Sequence, residues 1–157
     1  MFFRRKRGGV IVVELPDELR QLLGRLTEDL RDLLLVDDDD RLRRLYPTAD
    51  PQHPDRDQEF QQLMHGELIE SRLAALDTVD RCLAATTVDE DQLTQWMQAT
   101  NSLRLVLGTQ LDVSEDDGPV ARDHPEAATY ALYDLLNLLL GEMVEVLSGT
   151  LPRGGSE

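Results

Sequence analysis

The stretch Asp89–Val113 constrains the fold more than any other part of the chain. Leu93, Trp96, Met97, Thr100, Leu103, Leu107 and Leu111 recur at steps of three and four, which lays them along one face of an amphipathic helix. Asp89 is placed to N-cap that helix, and Gln92 sits where a capping box needs its second member. Arg104 and Gly108 interrupt the apolar run one turn apart.

The same period returns elsewhere. Pro16 suits a helix start, with Asp17 and Glu18 at its positive end, and Leu19, Leu22, Leu23, Leu26, Leu30, Leu33 and Leu34 form a stripe after it. A coiled-coil seam would need more heptads, so the stripe reads as core packing within a bundle. Arg41–Tyr46 makes a short helix ended by Pro47. Asp57–Ala85 is the longest helical pattern, with Phe60, Met64, Leu68, Ser71, Ala75, Val79 and Cys82 on one face. Thr86–Asp89 is a short connection into the next helix. His124–Ser148 is the last helix, with Pro125 at its first position. Its apolar arc is wide: Leu132, Leu135, Leu136, Leu139, Met143 and Val146 are broadened by Tyr133, Leu140, Val144 and Leu147. Such a helix belongs at the centre of a bundle or in a homodimer interface.

At the N-terminus, Phe2–Lys6 and Val10–Leu15 flank Arg7-Gly8-Gly9, which reads as a small β-hairpin. A two-stranded ribbon is marginal alone and must pack on the helices. The expected fold is mainly α: a single bundle of about five helices with an N-terminal β-hairpin at 2–15, one domain over 1–150 and a flexible tail at 151–157.

Charge narrows the function classes. The 157 residues carry a net charge of −15, which argues against non-specific affinity for nucleic acid or anionic lipid. Direct DNA binding is therefore expected to be weak, since the chain has few cations to neutralise phosphates against its own field. The single cysteine, Cys82, excludes an intramolecular disulfide and a cysteine-based zinc site, and its apolar helix face reads as a buried structural thiol rather than a sensor. No apolar run reaches the roughly 18 residues of a membrane span, and Val10–Val13 is too short for a signal-peptide core. A cytoplasmic protein is expected.

Chemical motifs are sparse. Asp37–Asp40 and Ser114–Asp123 resemble calcium loops superficially. Leu42 stands where the first pattern needs glycine, and the second has its glycine and glutamate misplaced. Both read as solvated acidic turns. His65-Gly66-Glu67 lacks the second histidine of a zinc motif, and His53 lies in the proline-rich Tyr46–Asp57 loop. No nucleophile motif or phosphate-binding glycine loop is present, so neither an enzyme nor a cofactor is expected.

Two groups of candidate residues remain. Arg4, Arg5, Lys6 and Arg7 form a basic block, and Arg41, Arg43 and Arg44 a second cluster. The first is either a contact site for nucleic acid or an acidic partner, or a charge-protected edge strand, which the acidic background favours. Arg104, between Leu103 and Leu105, needs a carboxylate or backbone carbonyls. Asn101 and Gly108 leave room for one, with Asp77, Glu70 and Asp134 as candidates; an ion pair and an anion-binding pocket are both open.

The segment NSLRLVLGTQLDVSEDD resembles the recurring LN-x-LRL-x-LGTRL core of an actinobacterial family first catalogued as a domain of unknown function. Asn101, Leu103, Arg104, Leu105, Leu107, Gly108, Thr109 and Leu111 carry the likeness. RLRRLYPTA, DQEFQQL, DEDQLTQWMQA and YALYDLLNLLL also agree, so the resemblance covers nearly the whole chain. It implies a cytosolic, non-enzymatic regulator. Such proteins are encoded near the ClpS adaptor, and some are AosR-like regulators of the oxidative-stress response acting through an RNA polymerase sigma factor. An adaptor or stability factor of the Clp protease system is the alternative, and an enzyme of unknown substrate the third reading. Redox sensing in such members is attributed to an N-terminal cysteine pair. This chain has Arg4–Arg7 there, so the switch does not carry over.

Overall fold

The computed structural model describes residues 1–36, 40–45, 54–112 and 122–149. Three short strands, β1 (Phe3–Arg5), β2 (Ile11–Val13) and β3 (Thr87–Val88), and four helices, α1 (Asp17–Val36), α2 (Pro54–Cys82), α3 (Glu90–Leu111) and α4 (Ala127–Ser148), make the fold. It is mainly helical, as expected. The helix count differs: the expected fifth helix at Arg41–Tyr46 is a 3-10 turn over Asp40–Leu45. Its i to i+3 bonding is tighter than that of an α-helix, and six residues is long for such a turn. Asp37–Asp39, the proline-rich loop up to His53, most of Ser114–Asp123 and the tail at 151–157 lie outside the described residues.

The hairpin forms, and it gains a partner. Lys6 N–H donates to the Val10 carbonyl at 2.7 Å. The loop between them places Gly8 and Gly9 both at φ +75°, a conformation that suits glycine alone. The register pairs Phe3 with Val13 and Arg5 with Ile11. The connection before Asp89 then adds β3 antiparallel to β2, pairing Ile11 with Val88 and Val12 with Thr87. The hairpin is thus two strands of a three-stranded sheet. The third strand answers the marginal stability of a lone ribbon.

The alternation of the strands turns Phe3, Ile11, Val13 and Val88 into the core. Phe3 meets Trp96 of α3 edge-on, ring centroids 5.5 Å apart at 86°. Trp96 is fully buried with Leu93, Leu136, Leu139 and Met143, so the α3–α4 seam forms the centre of the molecule. Leu23, Leu30 and Leu34 of α1 are buried, with Leu19, Leu26 and Leu33 packed at the margin. On α2, Ala75, Val79 and Cys82 are buried as the spacing predicts, but Ser71 is exposed. Leu76 and Thr78 are buried instead, because α2 is covered by α1 on one side and α3 on the other.

Helix ends follow their sequence signals closely at α3 and loosely elsewhere. Asp89 accepts from Gln92 N–H at 2.7 Å while Gln92 Oε1 accepts from Asp89 N–H at 2.9 Å, the expected capping box. Helix α2 starts at Pro54, earlier than its periodicity showed. Helix α4 starts at Ala127 rather than at Pro125, and His124 Nδ1 accepts the Glu126 N–H at 3.0 Å just before it. The wide arc of α4 is only partly covered: Val144 is 47% exposed, and Leu138, outside the arc, is 60% exposed.

Candidate functional site

The pleat of β1 divides the basic block. Arg4 faces outward and pairs with Glu14 at 3.0 Å, both side chains well exposed. Arg5 turns inward over the C-terminus of α4. Its Nε and Nη2 donate to the Val146 carbonyl at 3.1 and 2.7 Å, and Nη1 pairs with Glu90 in the first turn of α3. A cation on terminal carbonyls and a carboxylate at a helix start both complement the helix dipoles. Arg5 thereby ties the sheet to two helix ends. Lys6 and Arg7 are exposed at the hairpin tip. The four cations do not form one patch.

The second cluster sits in the 3-10 turn, which packs on the C-terminal half of α3. Arg43 Nη2 lies 3.8 Å from Asp112, both exposed. Arg44 approaches Gly108 so closely that a Cβ there would stand 3.1 Å from its Nη1 and 3.3 Å from the ring edge of Tyr133. The bare glycine lets a guanidinium and an aromatic ring reach the α3 backbone together. Arg104, one turn earlier on that face, donates from Nη2 to Asn101 Oδ1 at 2.7 Å. Its Nε is buried without a partner among the described residues. The carboxylate expected beside it is absent from that set: Asp77 instead pairs with Arg31 at 3.0 Å, which also holds Asp80 at 2.6 Å. Glu70 and Asp134 are exposed. Those two bonds raise the Arg31 pKa, the hydrogen bond to Asp80 foremost, against the lowering effect of burial. Asn101, Arg104, Gly108 and Arg44 therefore do come together, whereas Arg4 and Arg5 lie on the sheet and Lys6 and Arg7 at the hairpin tip.

Three side chains that the sequence did not single out carry the long-range polar architecture. Arg20 of α1 donates to four backbone carbonyls: Leu15 at 2.9 Å, Leu83 at 2.5 Å, Ala85 at 2.9 Å and Val13 at 3.2 Å. It fastens α1 to the end of β2 and to the turn after α2. Arg72 of α2 donates to Ser102 Oγ of α3 and to the Leu45 carbonyl, each at 2.9 Å. Glu142 of α4, only 8% exposed, accepts from Phe3 N–H at 2.8 Å and from Phe2 N–H with the same oxygen. Arginine facing a short segment of carbonyls leaves no periodic trace, so these contacts were not readable from spacing.

Cys82 is 2% exposed on the core side of α2. Burial pushes its thiol above the ordinary range, Arg81 opposes that, and Asp89 adds to it. No group of three or more histidine, cysteine, aspartate or glutamate side chains suited to a metal occurs among the described residues. A groove of about 610 Å³ lies between the first half of α1 and the α2–β3 turn. Leu15, Asp17, Gln21, Gly24, Leu83 and Thr86 line it beside Arg20. No helix among the described residues is long and apolar enough to cross a membrane.

The sequence matches a family model over residues 2–147, and the chain belongs to the family described as a domain of unknown function, DUF2017. Among curated proteins it is similar to the oxidative stress regulators AosR of Mycobacterium bovis and Mycobacterium tuberculosis. Each is 31% identical over 121 residues, covering 73% of this chain and 52% of the relative. The chain thus spans about half the length of these relatives. No solved structure matches.

Proposed function

We propose that this protein is a non-enzymatic regulator that acts on transcription by binding a protein partner, an RNA polymerase sigma factor or another transcription component. The likeness to the AosR oxidative stress regulators over 121 residues carries this reading. Two features of the chain shape it. Its net charge of −15 opposes direct binding to DNA, so the route to transcription runs through protein. Its one cysteine is buried with a raised pKa, so the thiolate that oxidants attack is scarce. The chain then responds to oxidative stress through a partner or through its abundance, not through its own thiol.

The test is capture by the tagged protein in its host, with and without peroxide, followed by mass spectrometry. Enrichment of polymerase core and a sigma factor supports the proposal. Recovery of Clp protease components without polymerase replaces it with the adaptor reading. A gel shift that is tight and sequence-specific with the purified protein alone overturns the protein-mediated route.

A further inference from the structure

We propose that the groove between α1 and the α2–β3 turn receives an extended, basic and apolar segment of a protein partner, which adds to the sheet at the β3 edge. This rests on the reading of the chain as a partner-binding regulator and names the segment it takes.

The two edges of the sheet are treated differently. In the order β1-β2-β3, the outer edge of β1 is closed by α4. Glu142 accepts the Phe3 N–H, and Arg5 is drawn onto the Val146 carbonyl. Among the described residues the edge of β3 has no such cover. Val13 N–H donates to the Thr86 carbonyl, so Thr86 and Val88 bond towards β2 and the alternation turns the Thr87 N–H and C=O outward. The Thr87 backbone has no partner among the described residues, and its side chain is exposed. Thr86, at the foot of the same strand, lines the groove. An extended chain pairing with Thr87 thus has the groove beside it, and alternate side chains of such a strand point to opposite faces.

The lining says which side chains suit. Leu15, Leu83 and Ala84 are apolar, and Gly24 contributes no side chain where Leu83 packs against α1. One face of the incoming strand is therefore apolar. Arg20 is the lone cation of the lining, and its guanidinium is occupied by four carbonyls. The charge left to face a ligand is Asp17, with Glu18 beside it, both exposed. Beyond β3, Asp91 lies within the capping box at the start of α3, also exposed. Over a background of −15, the residues of the strand that do not fill the apolar lining are cationic and meet these exposed carboxylates at the rim of the groove.

The experiment is an amide NMR titration of the full chain at physiological salt. The probe is an acetylated octapeptide alternating arginine and valine, and the control peptide has glutamate in place of arginine. The expected result is saturable shifts at Gln21, Gly24, Thr86 and Thr87, slowed exchange of the Thr87 amide, and no response to the control. Asp17→Arg, on the exposed first turn of α1, weakens binding at least tenfold. Thr87→Pro deletes the outward donor while keeping the Thr86 carbonyl bond, and it does the same. Shifts spread over the acidic surface without Thr87, or unchanged affinity in both variants, overturn the proposal. Host capture separates the two levels. If Asp17→Arg and Thr87→Pro still recover the partner of the native chain, the groove is not its site and the regulatory reading stands. If the native chain recovers no transcription component while the peptide docks at Thr87, the regulatory reading falls and the groove stands.

Discussion

Replacing Glu142 by alanine tests whether a single carboxylate anchors the N-terminal strand. One oxygen, Oε1, accepts the N–H groups of both Phe2 and Phe3 from a side chain that is 8% exposed. A hydrogen bond to a charged group is worth about 1.5–3 kcal/mol net, and a buried donor left unpaired costs about 1–3 kcal/mol. Phe2 N–H is only partly buried and regains water, so it contributes at the low end. The sum is about 3 kcal/mol, a large share of the roughly 5–15 kcal/mol that holds a domain folded. Urea denaturation followed by circular dichroism gives the difference, provided the slope is unchanged. Glu142→Gln keeps the oxygen acceptor and loses only the charge, so it costs about 1 kcal/mol. Amide exchange at Phe3 should rise in the alanine variant far more than at Trp96. Equal losses for alanine and glutamine, or a loss for alanine below about 0.5 kcal/mol, would refute the argument, because the acceptor would then not matter.

Arg20→Ala removes four carbonyl contacts at once and should cost about 2–4 kcal/mol, with the α2–β3 turn the first region to exchange; a lysine that restores stability would show that the forked geometry is dispensable. Cys82 should react slowly with a thiol reagent until denaturant is added, and peroxide should leave no disulfide dimer on a non-reducing gel. Because burial raises the folded-state pKa of Cys82, the unfolded chain loses its proton first as pH rises above the usual thiol value of about 8.5. Stability is therefore full below that pH and declines above it, and the urea midpoint of Cys82→Ala should lack this decline. Asp89→Ala breaks the capping box and should cost about 1 kcal/mol, read as a lowered melting temperature, while Asp89→Ser should recover most of it.

The helices were legible because burial imposes a period. Leu23, Leu30 and Leu34, or Leu136, Leu139 and Met143, fall where a packed face puts them. Strand β3 was not, since Thr87 and Val88 are too few to show alternation and only the distant β2 makes them a strand. The same holds for the starts of α2 and α4: α2 begins at Pro54 rather than at Asp57, and α4 at Ala127 rather than at Pro125. Arg104 was legible as an oddity but not in its partner, because Asp77 is claimed by Arg31 across a different helix pair. Arg5, Arg20 and Glu142 bond to backbone groups between five and 142 residues away. Backbone groups carry no residue identity, so no spacing rule reports them.

The Glu142 anchor also orders events in time. Of the three strands β1 leaves the ribosome first; its partner β2 pairs with β3 at residues 87–88, and the outer edge of β1 is sealed by a carboxylate at residue 142. Closing so long a loop is slow compared with forming the local turns of α1 and α2. At roughly 5–20 residues per second of synthesis, the hairpin waits about 6 to 26 seconds with its outer edge open while the helices between are made. The nascent chain is in that interval most vulnerable to pairing with other extended chains. Arg4, Arg5, Lys6 and Arg7 stand on and beside that edge, and like charges there disfavour its pairing with a second copy.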